Sequence, residues 1–154
     1  MAAGLSLREE NLEPFKKALN ENCTLTPEDY TCKRWIDVQM PLGYITKELI
    51  RGFSVLEPFG RGNEKPLFAE KDICVRSLRL IGQNHNAVKM MVEDKNGCQM
   101  EAVYFGDAEE FIGEVHAGSV ISALYYPSIN EYRGIEKIQI TICGYKVEKN
   151  NIYN

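Results

Sequence analysis

Four cations and a set of aromatic side chains carry what binding chemistry this sequence offers. Arg76, Arg79 and Lys89 fall in a stretch, Cys74 to Val92, that contains no acidic residue, and Arg133 stands alone further on. Tyr104, Phe105, Tyr126 and Tyr132 are the candidate flat surfaces, and His85 sits between the cations and could serve either purpose. Cations that track phosphates, combined with rings on which bases stack, are what single-stranded nucleic acid requires. A second candidate is Gly60-Arg61-Gly62-Asn63, a glycine-rich turn whose backbone N–H groups and one arginine could cradle a phosphate.

Each residue has a plainer reading. Counted along a regular strand, Arg76 and Arg79 point to opposite faces, so only one of them could line a given groove. The same alternation splits Tyr104 from Phe105, and we expect Phe105 in the core and Tyr104 outward. Lys89 could be an edge-protecting charge. Gly60 and Gly62 could simply permit a tight turn, and Asn63 could tolerate left-handed φ there. Trp35, the single tryptophan, is expected in the core or at a domain interface.

Other chemistry is poorly supplied. The five cysteines (Cys23, Cys32, Cys74, Cys98 and Cys143) form no CxxC pair, and with only His85 and His116 to help they make no zinc pattern. They read as reduced thiols of a cytoplasmic protein. The acids Asp107, Glu109, Glu110 and Glu114 lack histidine partners and read as the solvated start of a helix. No metal or other cofactor is expected in this chain. The net charge of −4 weighs against a strong nonspecific nucleic-acid binder but leaves room for a local basic face. Among 154 residues there is no long apolar run that could span a membrane.

The elements that would hold these residues change character midway. Residues 1–59 read as mostly helical. Asn11 or a Ser6/Glu9 capping box starts one helix, with Pro14 in its first turn and Leu12, Phe15 and Leu19 on one face. Thr26-Pro27-Glu28-Asp29 starts another, Trp35–Met40 suggests a short strand, and Thr46–Leu56 a second long helix with Leu49, Ile50, Phe53 and Leu56 buried. A connector rich in proline and glycine, Glu57 to Asn63, marks the boundary.

After it the period becomes two. Strands are expected at Cys74–Leu80, Ala87–Glu93, Cys98–Phe105, Val120–Tyr126 and Ile135–Val147. Asn96-Gly97 predicts a tight hairpin, Asp107 caps a short helix to Glu114, and Asn130–Gly134 is a turn. Three strands, a helix, then two strands is the order of an OB-fold. The expected fold class is therefore α+β, a five-stranded antiparallel OB-like barrel over residues 60–154 behind a mostly helical segment, residues 1–59.

Three stretches resemble the RecJ family of single-strand-specific exonucleases. Ala2-Ala3-Gly4-Leu5-Ser6-Leu7 is similar to the end of the family's DHHA1 signature, without the Gly-Gly-His that precedes it. Leu56-Glu57-Pro58-Phe59-Gly60-Arg61-Gly62-Asn63, with Pro66 and Phe68, is similar to the connector between DHHA1 and the OB-like domain. Asn130-Glu131-Tyr132-Arg133-Gly134 with Ile138-Gln139-Ile140 resembles the last hairpin. The resemblance implies a C-terminal fragment, the end of DHHA1 plus the OB-like domain, of an enzyme that degrades single-stranded DNA from the 5′ end with Mg²⁺ or Mn²⁺. The Asp-His-His domain that would hold the metal has no counterpart here, so this part is expected to be catalytically silent. It implies single-stranded DNA as partner, with a single-strand-binding protein as a second candidate and self-association as a third. Read from the residues themselves, as cations and rings on the strands and loops of such a barrel, the expected nucleic-acid contacts are Arg76, Arg79, His85, Lys89, Tyr104, Tyr132 and Arg133.

Overall fold

A computed structural model describes residues 4–26, 29 and 34–148. Ala2-Ala3 of the first resembling stretch, Pro27-Glu28 of the second helix start, and Cys32 lie outside the described residues. The chain divides into two compact units, one up to Arg34 and one from Trp35 onward.

In the first unit a 3-10 turn, Glu9–Asn11, leads into helix α1, Leu12–Glu21. Asn11 occupies the N-cap position without a side-chain cap bond, and Pro14 lies in the first turn, where its missing N–H costs nothing.

The second unit begins before the expected boundary. Strand β1, Val38–Gln39, runs parallel to the start of β2, Phe68–Ile81. Helix α2, Lys47–Gly52, lies between them in sequence and is capped by Thr46 Oγ1, which accepts from the Leu49 N–H (3.1 Å). The expected long helix 46–56 is shorter, because its last turn winds as 3-10 helix over Phe53–Leu56. The connector at 57–63 therefore lies inside this unit. Met40, Leu42 and Ile45 enter the core, and Leu49, Ile50 and Phe53 pack against it, while Leu56 stays exposed. Phe53 stacks on Phe68 (5.6 Å), and Phe68 on Tyr125 (6.1 Å).

Strands β3 (Ala87–Glu93) and β4 (Gln99–Tyr104), helix α3 (Ala108–Glu114), β5 (Val120–Tyr132) and β6 (Ile135–Val147) complete the unit. The ring runs β2-β3-β4-β6-β5 and closes by pairing β5 with β2. This is the OB-like barrel, but it is not antiparallel throughout: β4 and β6 run parallel. Topology requires it. Strand direction must alternate around an antiparallel ring, and five is odd, so at least one pair must match. Helix α3 makes the crossover that allows it.

Several boundaries move for identifiable reasons. β2 is twice the expected length because bulges at Glu70/Ile73, with Asp72 at φ 60°, and at Val75/Ser77 let it bend between two partners, β5 and β3. β5 runs through Pro127, since its pairing with β2 ends at Tyr125 and a proline is tolerated on the edge left open. The final hairpin turns only at Arg133-Gly134, both with positive φ (52° and 74°), a type I′ pair. At Asn96-Gly97 only Gly97 has positive φ (82°), and the Asp94 carboxylate takes over the turn: its Oδ1 accepts from the N–H groups of Asn96 (2.8 Å) and Cys98 (2.9 Å).

Candidate nucleic-acid interface

The outer side of β2-β3-β4 gathers most of the predicted cations. In register, Ser77 faces Met91, Arg79 faces Lys89, and Leu78 and Leu80 face Met90 and Val88 inside. The bulge at Val75/Ser77 changes the phase of β2, so Arg76, Ser77 and Arg79 are all exposed. The two arginines thus share a side, against the expectation from simple alternation. Two cations directly opposite, Arg79 and Lys89, repel and draw an anion between them.

Two shallow clefts meet on this side. One, of about 180 Å³, is lined by Ser77, Arg79, Lys89, Met91 and Glu101. The other, of about 370 Å³, is lined by Lys89, Glu101, Asn130, Tyr132, Ile135 and Lys137. Lys89 and Glu101 belong to both, so one groove runs from β2 to the tip of the β5–β6 hairpin. Tyr132 is 65% exposed at that tip, with the Arg133 guanidinium 5.2 Å from its ring centre. A ring carried on a two-residue turn, with no core to fill, is available for stacking.

The cations are not all unpaired. Lys89 Nζ lies 2.9 Å from Glu101 Oε2. Arg76 is held by Glu93, whose carboxyl is lowered first by that hydrogen bond and next by the one from Gln99. His85 sits in the β2–β3 turn at φ 51°, exposed, its N–H donating to Gly82 O (3.2 Å), and is not among the residues that line either cleft.

Tyr104 is the clear correction. It points inward in register with Val88, stacks on Phe111 at 4.7 Å and meets Tyr145 edge-on at 5.6 Å. Phe105, expected in the core, is 66% exposed. The inward positions of β4 are Met100, Ala102 and Tyr104, and α3 supplies the ring that covers the last. Tyr125 and Tyr126 point to opposite faces: Tyr125 is buried with its hydroxyl donating to Met40 O, and Lys65 Nζ lies 5.3 Å from the Tyr126 ring centre. Trp35, expected to be covered, is 90% exposed.

At Gly60–Asn63 the two ends of the turn bond to each other. The N–H groups of Gly60 and Asn63 donate to each other's carbonyls (2.8 and 3.0 Å), and Asn63 Nδ2 donates to Leu56 O and Pro58 O (2.8 and 3.0 Å). The left-handed φ falls on Gly62 (84°), not on Asn63, which instead ties the connector together. Arg61 remains exposed.

Glu101, Lys137, Asn130 and Ser77 line the groove without having been singled out in the sequence. A signal existed for two of them. Gln99 and Glu101 alternate with Met100 and Ala102, which fixes the outward phase of β4, and Lys137 stands opposite Asn130 in the hairpin register. Among the described residues no group of three or more His, Cys, Asp and Glu lies together as a metal site would need, and no helix is long and apolar enough to cross a membrane.

Comparison with known proteins agrees with the barrel fold. A family model described as the RecJ OB domain matches residues 36–144. The single-stranded-DNA-specific exonuclease RecJ of Bacillus subtilis is 35% identical over 144 residues, 92% of this chain and 18% of that protein. The protein of the same name from Haemophilus influenzae is 28% identical over 145 residues, 92% of this chain and 25% of its own length. The chain thus spans a quarter or less of these relatives. A crystal structure of RecJ from Thermus thermophilus in complex with Mn²⁺ superposes with a TM-score of 0.71 over 94% of this chain and 20% of that one, at 16% identity, which speaks to the fold.

Proposed function

This chain belongs to the RecJ OB-domain family, and on that premise we propose that it is the single-stranded-DNA-binding and guiding module of a 5′-to-3′ single-strand-specific exonuclease acting in DNA repair and recombination. Cutting, with the Mg²⁺ or Mn²⁺ it would use, is assigned to another part of a longer protein. The observation that carries the reading is the directly opposed pair Arg79 and Lys89, in a groove that continues to Tyr132 and Lys137. Phosphates would run past the cations and a base would stack on Tyr132.

The test is fluorescence anisotropy of a labelled single-stranded oligonucleotide, beside a duplex control, across a salt series. Single strands should bind better than duplex. With three or four phosphates neutralised, log K should fall against log[salt] with a slope of about −2 to −3, at roughly −0.7 per phosphate. Absence of binding even at low salt would remove the DNA-contact assignments and leave a structural or docking part.

One observation favours a second reading, docking of a partner protein such as a single-strand-binding protein. Beside the exposed Trp35, Ile36 lines an apolar cleft of about 260 Å³ together with Ala69, Leu124, Gly144 and Tyr145. Binding of that kind would depend little on salt, whereas phosphate contacts depend on it steeply.

A further inference from the structure

The candidate groove carries an anion of the protein's own. Glu101 lies at the meeting point of the two clefts, and its Oε2 is 2.9 Å from Lys89 Nζ. Neither side chain is free in solvent, since they are 27% (Lys89) and 21% (Glu101) exposed. Glu101 faces Met91, diagonal to Lys89, and Lys89 faces Arg79, so the carboxylate sits by a like-charge pair that would otherwise repel. The arrangement recurs at the margin, where Glu93 holds Arg76.

The geometry points to Glu101 as an internal counter-ion that occupies the phosphate position on Lys89 and must be displaced before a nucleic-acid strand can seat. This inference rests on the single-strand-binding reading of the same groove and adds its regulation. When a phosphate arrives, Lys89 exchanges one anion for another, and the released carboxylate stays nearby and repels the newcomer. The groove therefore binds more weakly, and with a shallower salt dependence, than its cations would give. A weakened site suits a strand that must move through it rather than rest in it. It also disfavours ligands that cannot bring enough phosphates to outcompete Glu101.

Glu101→Gln removes the charge and keeps the shape. Anisotropy titrations of a single-stranded oligonucleotide against wild type and E101Q, each over a salt series, provide the readout. We expect E101Q to bind about threefold to tenfold more tightly at low salt, with a slope steeper by up to about one unit. Glu109→Gln, which removes the same charge from the exposed face of α3, should change affinity by less than about twofold at moderate salt, because that charge is screened. Lys89→Met supplies the second arm. It should cost less in wild type, where Lys89 gives up its contact with Glu101 to take the phosphate, than in E101Q, where nothing is given up. If wild type binds and E101Q binds equally or less tightly, or if Lys89→Met costs the same in both backgrounds, the counter-ion role is overturned while the binding module stands. If neither wild type nor E101Q binds single strands at low salt, the binding reading itself falls and this inference with it.

Discussion

The two sides of the β2-β3-β4 sheet use the same strands for opposite ends. Inside, polar and aromatic groups are consumed by packing. Tyr104 lies against Phe111 and Tyr145. Glu70, buried at one end of the barrel, accepts from the Leu42 N–H (2.9 Å) and so fastens the 40–45 segment over the core. Its neighbour Asp94 is also buried, with Oδ2 lacking a partner among the described residues. Outside, Arg79, Lys89 and Glu101 are left to one another and to whatever anion enters. A side chain's type does not decide its use. The tyrosine on the strand under α3 is structural, and the one on a two-residue hairpin tip is free to bind.

The largest effect that would test this division is on the inner side. Phe111→Ala empties the ring position beneath Tyr104 and should cost about 3–5 kcal/mol in a urea melt. The fraction still folded should bind single strands as before. Loss of binding with the fold intact would place α3 in the interface and break the comparison.

Glu70 gives the next effect, through pH. Burial first of all, and the charge of Asp94 to a lesser degree, push its carboxyl from an ordinary value near 4.5 up to about 7, although the Leu42 hydrogen bond opposes this. Between these values the unfolded chain gives up the proton that the folded chain keeps. This carboxyl therefore contributes full stability below pH 4.5, loses it as the pH rises to about 7, and is flat beyond, a total of roughly 3 kcal/mol. Glu70→Gln should flatten that limb and make the unit more stable at pH 8, because the amide oxygen can still accept from Leu42 and no charge is buried beside Asp94. Melts at pH 5 and pH 8 check it. An unchanged slope would mean that Glu70 does not hold its proton inside the barrel.

On the outer side, Tyr132→Ala should cost about 1–3 kcal/mol of single-strand affinity if one base stacks there. Stability should move by no more than about 0.5 kcal/mol, as for an exposed site. The anisotropy titration and a thermal melt together separate the two. A destabilised variant with normal affinity would reverse the assignment of the hairpin tip.

How far these sides could be told apart in the sequence depended on register. The number and order of the five barrel strands, the Asp107 cap and the bounds of the last strand, Ile135–Val147, follow from periodicity and turn chemistry and stand as expected, while β2 and β5 run beyond their expected ends. Which residues face out did not follow wherever a strand departs from strict alternation. The bulge at Val75/Ser77 brings Arg76 and Arg79 to one side, and nothing in Val75-Arg76-Ser77 announces it. For Tyr104 and Phe105 the phase is legible in Gln99 and Glu101, whose outward positions on β4 put Tyr104 inward and Phe105 outward. Long-range closure was the least legible part: that residues 40–53 belong to the barrel depends on Glu70 and Tyr125 reaching back 28 and 85 positions.

The smallest expected effect is the sharpest on the division itself. Tyr104→Phe keeps the ring and removes only the hydroxyl. The phenol lies over Gly106 so closely that any Cβ there would meet it, and this is why a glycine follows the strand at that point. Phe111 stacks on one face of the ring at 4.7 Å and Tyr145 meets it edge-on, and the cleft that Tyr104 still lines carries the carboxylates of Glu110 and Glu114, which repel a phosphate backbone. Single-strand affinity should therefore stay within about twofold of wild type, as for a residue outside the contact set. A loss of about fivefold or more with an unchanged melt would mean that the hydroxyl touches the nucleic acid. The inner side would then share in binding, and the groove from Arg79 to Tyr132 would be only part of the site.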